Sequence, residues 1–232
     1  MLCVHDLHIT RGQGSERHAV ELPRLELAAG ELIAVVGPSG CGKSTLLEAL
    51  GLLLAPDRLA RFTLGEPGRD LAALLRTNAT AELAQVRAQD MGFMLQNGGL
   101  LPYLSVRDNI SLPRRLAGMA PGSERIRHAC ATLGLDALMN KRPAALSIGE
   151  RQRTAFVRAI AHEPRILLAD EPTAALDPQA GSRLFGLMTS LVEELGMTAL
   201  VVSHDRQLVA DFSLPRLTAE LTTEGCRFVD TR

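Results

Sequence analysis

The stretch ELIAVVGPSGCGKSTLLEALGLLL, residues 31–54, constrains the fold more than any other part of the chain. Leu32 to Val36 is an unbroken apolar run, as expected of a strand buried on both faces. The run GPSGCGKS then fits G-x-x-x-x-G-K-[ST] from Gly37 to Ser44, and the residues after it are helix formers. Strand, glycine-rich turn and helix in this order bring several backbone N–H groups to a helix N-terminus, where an anion is favoured. Gly37, Pro38, Ser39, Gly40, Cys41, Gly42, Lys43, Ser44 and Thr45 are therefore read as a phosphate-binding loop. Lys43 is placed to reach β- and γ-phosphates, and the Ser44 hydroxyl to ligate Mg²⁺.

Two further apolar runs, RILLADEP (165–172) and TALVVSHD (198–205), read as buried strands. Between them, Leu184, Leu187, Met188, Leu191, Val192 and Leu195 recur at helical spacing, with Gly196 as a stop. Strands alternating with helices predict an α/β fold built on a mainly parallel sheet. Residues 97–162 lack buried-strand runs and read as mostly helical. The tail RLTAELTTEGCRFVD alternates about Glu224-Gly225 and predicts a closing hairpin.

Each strand-like run ends in a polar residue. Asp170 follows ILLA, and a carboxylate at the mouth of a buried strand needs a cation to serve, which points to Mg²⁺. Glu171 beside it suits a base that polarises or accepts a proton from an attacking water. His204 ends the next run, and Gln96 follows the apolar MGFML. Ligands of open parallel sheets gather at these carboxyl ends.

A different pattern opens the helix after Leu146. Ser147 and Glu150 have capping-box spacing, S-x-x-E. Gly149 sits inside that first turn, at a cost of about 1 kcal/mol relative to alanine. Local helix chemistry supplies no reason for it.

The 232 residues suffice for one large domain or a domain with a subdomain. A formal charge of −1 gives no sign of a nucleic-acid surface. No apolar run approaches the roughly 18 residues of a membrane span, and the start MLCVHDLHITRG lacks a signal-peptide core. A soluble, non-secreted protein is expected. The four cysteines are widely spaced without a C-x-x-C pair, so neither a metal site nor a disulfide framework is expected from spacing.

With these residues in order, the chain resembles the ATP-binding subunit of an ABC transporter over nearly its whole length. GPSGCGKST is similar to Walker A, LQ at 95–96 to the Q-loop, LSIGERQR at 146–153 to the signature, ILLADEP to Walker B, AALD at 174–177 to the D-loop and SHD at 203–205 to the switch histidine. The resemblance implies a single ABC ATPase domain over 1–232, with residues 97–162 a helical subdomain inserted in a P-loop NTPase core. It also implies an N-terminal antiparallel β subdomain.

The implied cofactors are ATP and Mg²⁺, the metal held by Ser44, Gln96 and Asp170. Catalysis would rest on Glu171, His204, Lys43 and Gln96, with His204 on the γ-phosphate. The implied partners are a second nucleotide-binding subunit and transmembrane permease subunits, with no direct nucleic acid. Ser147, Gly149 and Glu150 would meet the ATP bound by the other subunit. The subunit would sit in the cytoplasm, peripheral on the inner membrane through its permease. ADEPTAALD and the short chain look most like lipoprotein-release and macrolide-export ATPases and their cell-division relatives.

Some residues depart from the family pattern. No Phe, Tyr or Trp precedes Phe62, where the family has an adenine-stacking ring; Arg11 lies near that position and offers a guanidinium plane. Ile148 and Glu150 replace the usual glycine and glutamine. Residues 69–90 are longer than the family's usual link into the Q-loop. The segment NGGLLPYLSVRDNI after Gln96 holds the only tyrosine, Tyr103, and lies where the family receives a membrane subunit's coupling helix. Leu100, Leu101 and Leu104 fit that groove or the helical core equally. Ser105 and Asp108 again have capping spacing.

Two other classes fit the sequence less well. A soluble ABC-type ATPase of DNA repair or translation would carry a long coiled-coil insertion or two cassettes, and neither fits here. A GTPase would need N-K-x-D, but NKRP at 140–143 has Pro143 in place of the aspartate.

Overall fold

A computed structural model describes residues 1–12 and 17–232. Ten strands form one sheet. They are β1 (Leu2–Arg11), β2 (His18–Leu27), β3 (Leu32–Val36), β4 (Arg61–Leu64), β5 (Arg69–Asp70), β6 (Met91–Met94), β7 (Ile166–Asp170), β8 (Thr198–Ser203), β9 (Arg216–Leu221) and β10 (Gly225–Asp230). Their spatial order is β5-β4-β1-β2-β10-β9-β3-β8-β7-β6. From β9 to β6 the neighbours run parallel, whereas β1, β2, β4 and β5 pair antiparallel. The closing hairpin expected of the tail is β9–β10, and β10 joins the two regions by pairing parallel with β2.

All five residues of β3 and all six of β8 are buried. Their side chains alternate between two cores. Ile33, Val35, Ile166, Leu168, Leu200 and Val202 face the core beneath the antiparallel strands and the helix α1 (Lys43–Leu50). Leu167, Ala169, Ala199 and Val201 face the other, shared with the helices. Burying one such aliphatic side chain is worth about 1.5–3 kcal/mol, so a strand that serves two cores cannot slip by one residue.

The hairpin β1–β2 changes its buried face partway. Leu2 and Val4 face the core, but beyond Asp6 the buried residues are Leu7 and Ile9. The partner strand shifts in step, from Leu25 and Leu27 to Val20 and Leu22. Asp6 takes φ +51°, a left-handed conformation that Asp tolerates better than most residues, and it lies across from Pro23.

Residues 69–90, to which the sequence assigned no role, form β5, α2 (Leu71–Arg76) and α3 (Thr80–Asp90). Leu71, Ala72, Leu83 and Val86 close one side of the first core. Residues 97–162 carry the helices α4 (Val106–Leu116), α5 (Glu124–Thr132) and α6 (Ile148–Ile160). Buried Arg114 of α4 fastens this arm to the end of α6 through the Ala161 carbonyl and Glu163, each at 3.0 Å.

The helix between β7 and β8, α7 (Pro178–Glu194), starts three residues earlier than the first glycine of its apolar pattern, because Asp177 caps the N–H groups of Gln179 and Ala180. Leu187 does not belong to the buried face, being 40% exposed. Phe185 fills the core instead, edge-on to Phe212 with ring centroids 5.1 Å apart. A short last helix, α8 (Arg206–Asp211), follows β8.

Candidate functional site

The turn from β3 into α1 is shaped by what surrounds it. A Cβ at Gly37 would lie 2.5 Å from the Cβ of Ala219 and 2.8 Å from Cys41 Sγ. At Gly42 it would lie 2.4 Å from Val20 Cγ2, and Gly42 also holds φ +94°. The two glycines are thus demanded by packing against the flanking strands as well as by the turn. Lys43 is buried, and its Nζ donates to the carbonyls of Gly37 and Pro38 at 3.0 and 2.9 Å. The ammonium is therefore satisfied by hydrogen bonds across its own loop.

Asp170 ends β7 next to this loop, with the Ser44 hydroxyl near its carboxylate. Burial pushes its carboxyl above the ordinary aspartate value, an effect the nearby Ser44 hydroxyl opposes and neighbouring Glu171 reinforces. A cation at this point would offset that cost. Ser44, Asp170 and Gln96 offer hard oxygen donors, the chemistry Mg²⁺ takes.

Glu171 stands at φ +45°, unusual for a non-glycine residue. Its N–H donates to Val202 O at 3.1 Å. Two strand-end residues converge on its side chain: Gln96 Nε2 donates to Oε2 at 3.1 Å, and His204 Nδ1 lies 3.2 Å from the same oxygen. Three residues separated by up to 108 positions in the chain thus meet at one carboxylate oxygen, because β6, β7 and β8 are adjacent and parallel.

The Q-loop is also tied to the signature helix. Gln152 on α6 donates to the Gln96 carbonyl at 3.1 Å. Arg158, a turn and a half further along, donates to the carbonyls of Gly99 and Gly98 at 2.6 and 2.8 Å.

At the start of α6 the capping box is complete. Ser147 Oγ accepts from Glu150 N at 3.2 Å, and Glu150 Oε2 accepts from Ser147 N at 2.6 Å. These bonds, the Ser147 backbone N–H first, lower the Glu150 pKa. Gly149 is not crowded, since a Cβ there would come no nearer than 3.8 Å to any atom. Ile148 beside it is 45% exposed. Nothing within this chain explains why position 149 lacks a side chain.

Arg11 pairs with Glu48 on α1, at the edge of the loop. The residue that sequence reading missed is His18, directly across β1–β2 from Arg11. Its Nε2 is buried without a partner among the described residues, 3.6 Å from where a Cβ of Gly42 would sit. Only strand register places it there.

Residues 21–174 match the family described as ABC transporter. The chain belongs to the ABC transporter family. The lipoprotein-releasing system ATP-binding protein LolD of Ruegeria sp. (strain TM1040) is 44% identical over 188 residues, 80% of each chain. LolD of Cereibacter sphaeroides is 41% identical over 202 residues, 86% of this chain and 87% of that one. The dimeric ATP-binding cassette MJ0796, in a post-hydrolysis state with ADP and Pi, is 31% identical, covers 94% of both chains and superposes with a TM-score of 0.78.

This ABC protein is an ATP-binding, ATP-hydrolysing transporter subunit that works with membrane partners. The soluble ABC-type alternative is not favoured. The expected fold is the one found, an ABC core with antiparallel and helical additions.

Proposed function

We propose that the cassette, a single ATPase domain over 1–232 with residues 97–162 as its helical arm, drives release of lipoproteins from a membrane through a permease. The cargo class rests on its relatives, which are lipoprotein-releasing ATP-binding proteins. The catalytic reading rests on one observation, the convergence of Gln96 and His204 on Oε2 of Glu171.

In this reading Gly37 to Thr45 wrap the phosphates of ATP with backbone N–H groups, and Lys43 exchanges its loop carbonyls for phosphate oxygens. Ser44, Asp170 and Gln96 would hold Mg²⁺, which when bound would neutralise negative charge on the phosphates. Glu171 polarises the water that attacks the γ-phosphorus in line, and His204 turns from Glu171 to the γ-phosphate. Ser147, Gly149 and Glu150 serve the nucleotide of a second copy. Arg11 and His18 flank the base side of the loop.

The membrane partner is taken by a groove lined by Phe93, Leu101, Leu112, Pro113 and Leu116, and Tyr103, two residues after Leu101, is exposed. Fully buried Asn109 shapes it. Its side chain accepts from Leu101 N at 2.8 Å and donates to the carbonyls of Leu101, Leu104 and Ser105. Apolar anchors in a groove suit an incoming amphipathic helix. Among the described residues no helix is long and apolar enough to cross a membrane, so attachment to the cytoplasmic face of the inner membrane would run through this groove.

Glu171→Gln tests the chemistry. ATP still binds, turnover falls by about 10²–10⁴-fold, and a dimer accumulates in ATP. Undiminished hydrolysis would overturn the role. Purification from membranes tests the partner: a polytopic protein is expected, and its loss in Leu101→Asp would tie it to the groove.

A further inference from the structure

Far from the phosphate loop, three potential metal ligands meet on the outer face of β1–β2. Cys3 and Glu26 are directly cross-strand, and His5 lies two residues along β1 on the same face. Cys3 Sγ to His5 Nε2 is 3.5 Å, Cys3 Sγ to Glu26 Oε1 is 3.7 Å, and His5 Nε2 to Glu26 Oε1 is 2.8 Å. Among the described residues this is the one group of three such side chains whose ligand atoms all lie within 4.8 Å of one another.

A tetrahedral zinc-class ion with bonds of about 2.0–2.3 Å to sulfur, nitrogen and oxygen sets its ligand atoms about 3.3–3.6 Å apart. Of the two sulfur distances, 3.5 Å falls in that range and 3.7 Å lies just above it. The third is short because nitrogen and oxygen share a hydrogen bond, and it opens by about 0.5 Å when a cation replaces that hydrogen. Thiolate and carboxylate together balance a 2+ charge.

The surroundings suit the arrangement. Arg24 Nη2 holds the other carboxylate oxygen, Oε2, at 2.9 Å, which leaves Oε1 directed at the cluster. Cys3 is buried while His5 and Glu26 are half-buried, so the site opens to solvent on one side and has room for a water as fourth ligand. Burial, with Glu26 beside it, raises the Cys3 thiol pKa, and the positive charge of Arg61, beside His5 on β4, only partly opposes this.

The geometry points to a divalent metal site of the zinc class at Cys3, His5 and Glu26, separate from the nucleotide and bracing the hairpin. It lies about 26 Å along the strands from the Arg11–His18 pair. Binding releases the Cys3 thiol proton to solvent.

Cobalt(II) titrated into the nucleotide-free full chain is the probe. One equivalent should produce a sulfur-to-cobalt charge-transfer band and the intense visible bands of four-coordinate cobalt, and Zn²⁺ should displace it. Cys3→Ser should abolish the charge-transfer band. His5→Asn and Glu26→Gln should each weaken binding by more than about tenfold. Lys43→Ala should leave the signal unchanged. Absence of the charge-transfer band in the parent protein, its survival in Cys3→Ser, or parental affinity in both His5→Asn and Glu26→Gln would overturn the site. If Cys3→Ser fails to fold, the two variants at half-buried positions decide it.

Discussion

His204 Nδ1 lies 3.2 Å from Glu171 Oε2, so the two residues proposed as switch and base are in direct contact. Gln96 bonds the same oxygen. The arrangement orients the carboxylate from two neighbouring strand ends, and in the proposed mechanism His204 leaves it for the γ-phosphate.

His204→Ala should leave ATP binding near the parental level and lower kcat by about 10²-fold or more. Equilibrium binding of a fluorescent ATP analogue, measured beside steady-state turnover, separates the two. Equal losses in affinity and turnover would place His204 in ground-state binding instead.

Gly149→Ala tests whether the signature acts across a dimer. The added methyl meets nothing within 3.8 Å in this chain, so the isolated subunit should be as stable or more stable, by up to about 1 kcal/mol. ATP-dependent dimerisation and hydrolysis should nevertheless fall. Thermal melting and size-exclusion chromatography with ATP give the two readouts, and an intact ATP dimer would refute the contact.

The Glu150 carboxylate has a lowered pKa because it accepts from the Ser147 N–H. A carboxyl with a lower pKa in the folded state stabilises that state above its unfolded value, near 4.3, and the contribution disappears as pH falls through the folded value. Helix α6 should therefore lose part of its cap only below about pH 4.3. Melting temperature against pH should show a shallower acid limb for Glu150→Gln than for the parent chain.

Arg158→Ala should separate stability from chemistry. Its guanidinium bonds two Q-loop carbonyls, and hydrogen bonds to charged groups are worth about 1.5–3 kcal/mol. The variant should melt at lower temperature and show faster amide exchange at residues 96–99. Nucleotide affinity should change little. Unaltered exchange at the Q-loop would mean that the bonds do not restrain it.

Much of this architecture is legible in the chain because its signals are local. The buried runs at Leu32–Val36, Ile166–Asp170 and Thr198–Ser203 announce parallel strands, and the polar residues that end them announce the site. What escapes is whatever depends on register. His18 reaches the phosphate loop only because Arg11 and His18 are cross-strand partners. Cys3, His5 and Glu26 meet for the same reason, although the spacing of the cysteines argued against a metal. Leu187 keeps helical periodicity yet faces solvent, since Phe185 has taken the core position. Gly149 is a different case. Its justification is absent from the folded chain itself, which is what a residue kept for another copy would look like.

The crowding of Gly37 by Ala219 links two positions 182 residues apart. A methyl gained at 37 collides with the methyl at 219, so the sizes of these residues cannot drift independently. Among descendants of this gene, the loop and the closing hairpin should therefore change together, and a lesion at Gly37 would find part of its suppressors in β9 rather than in the nucleotide loop.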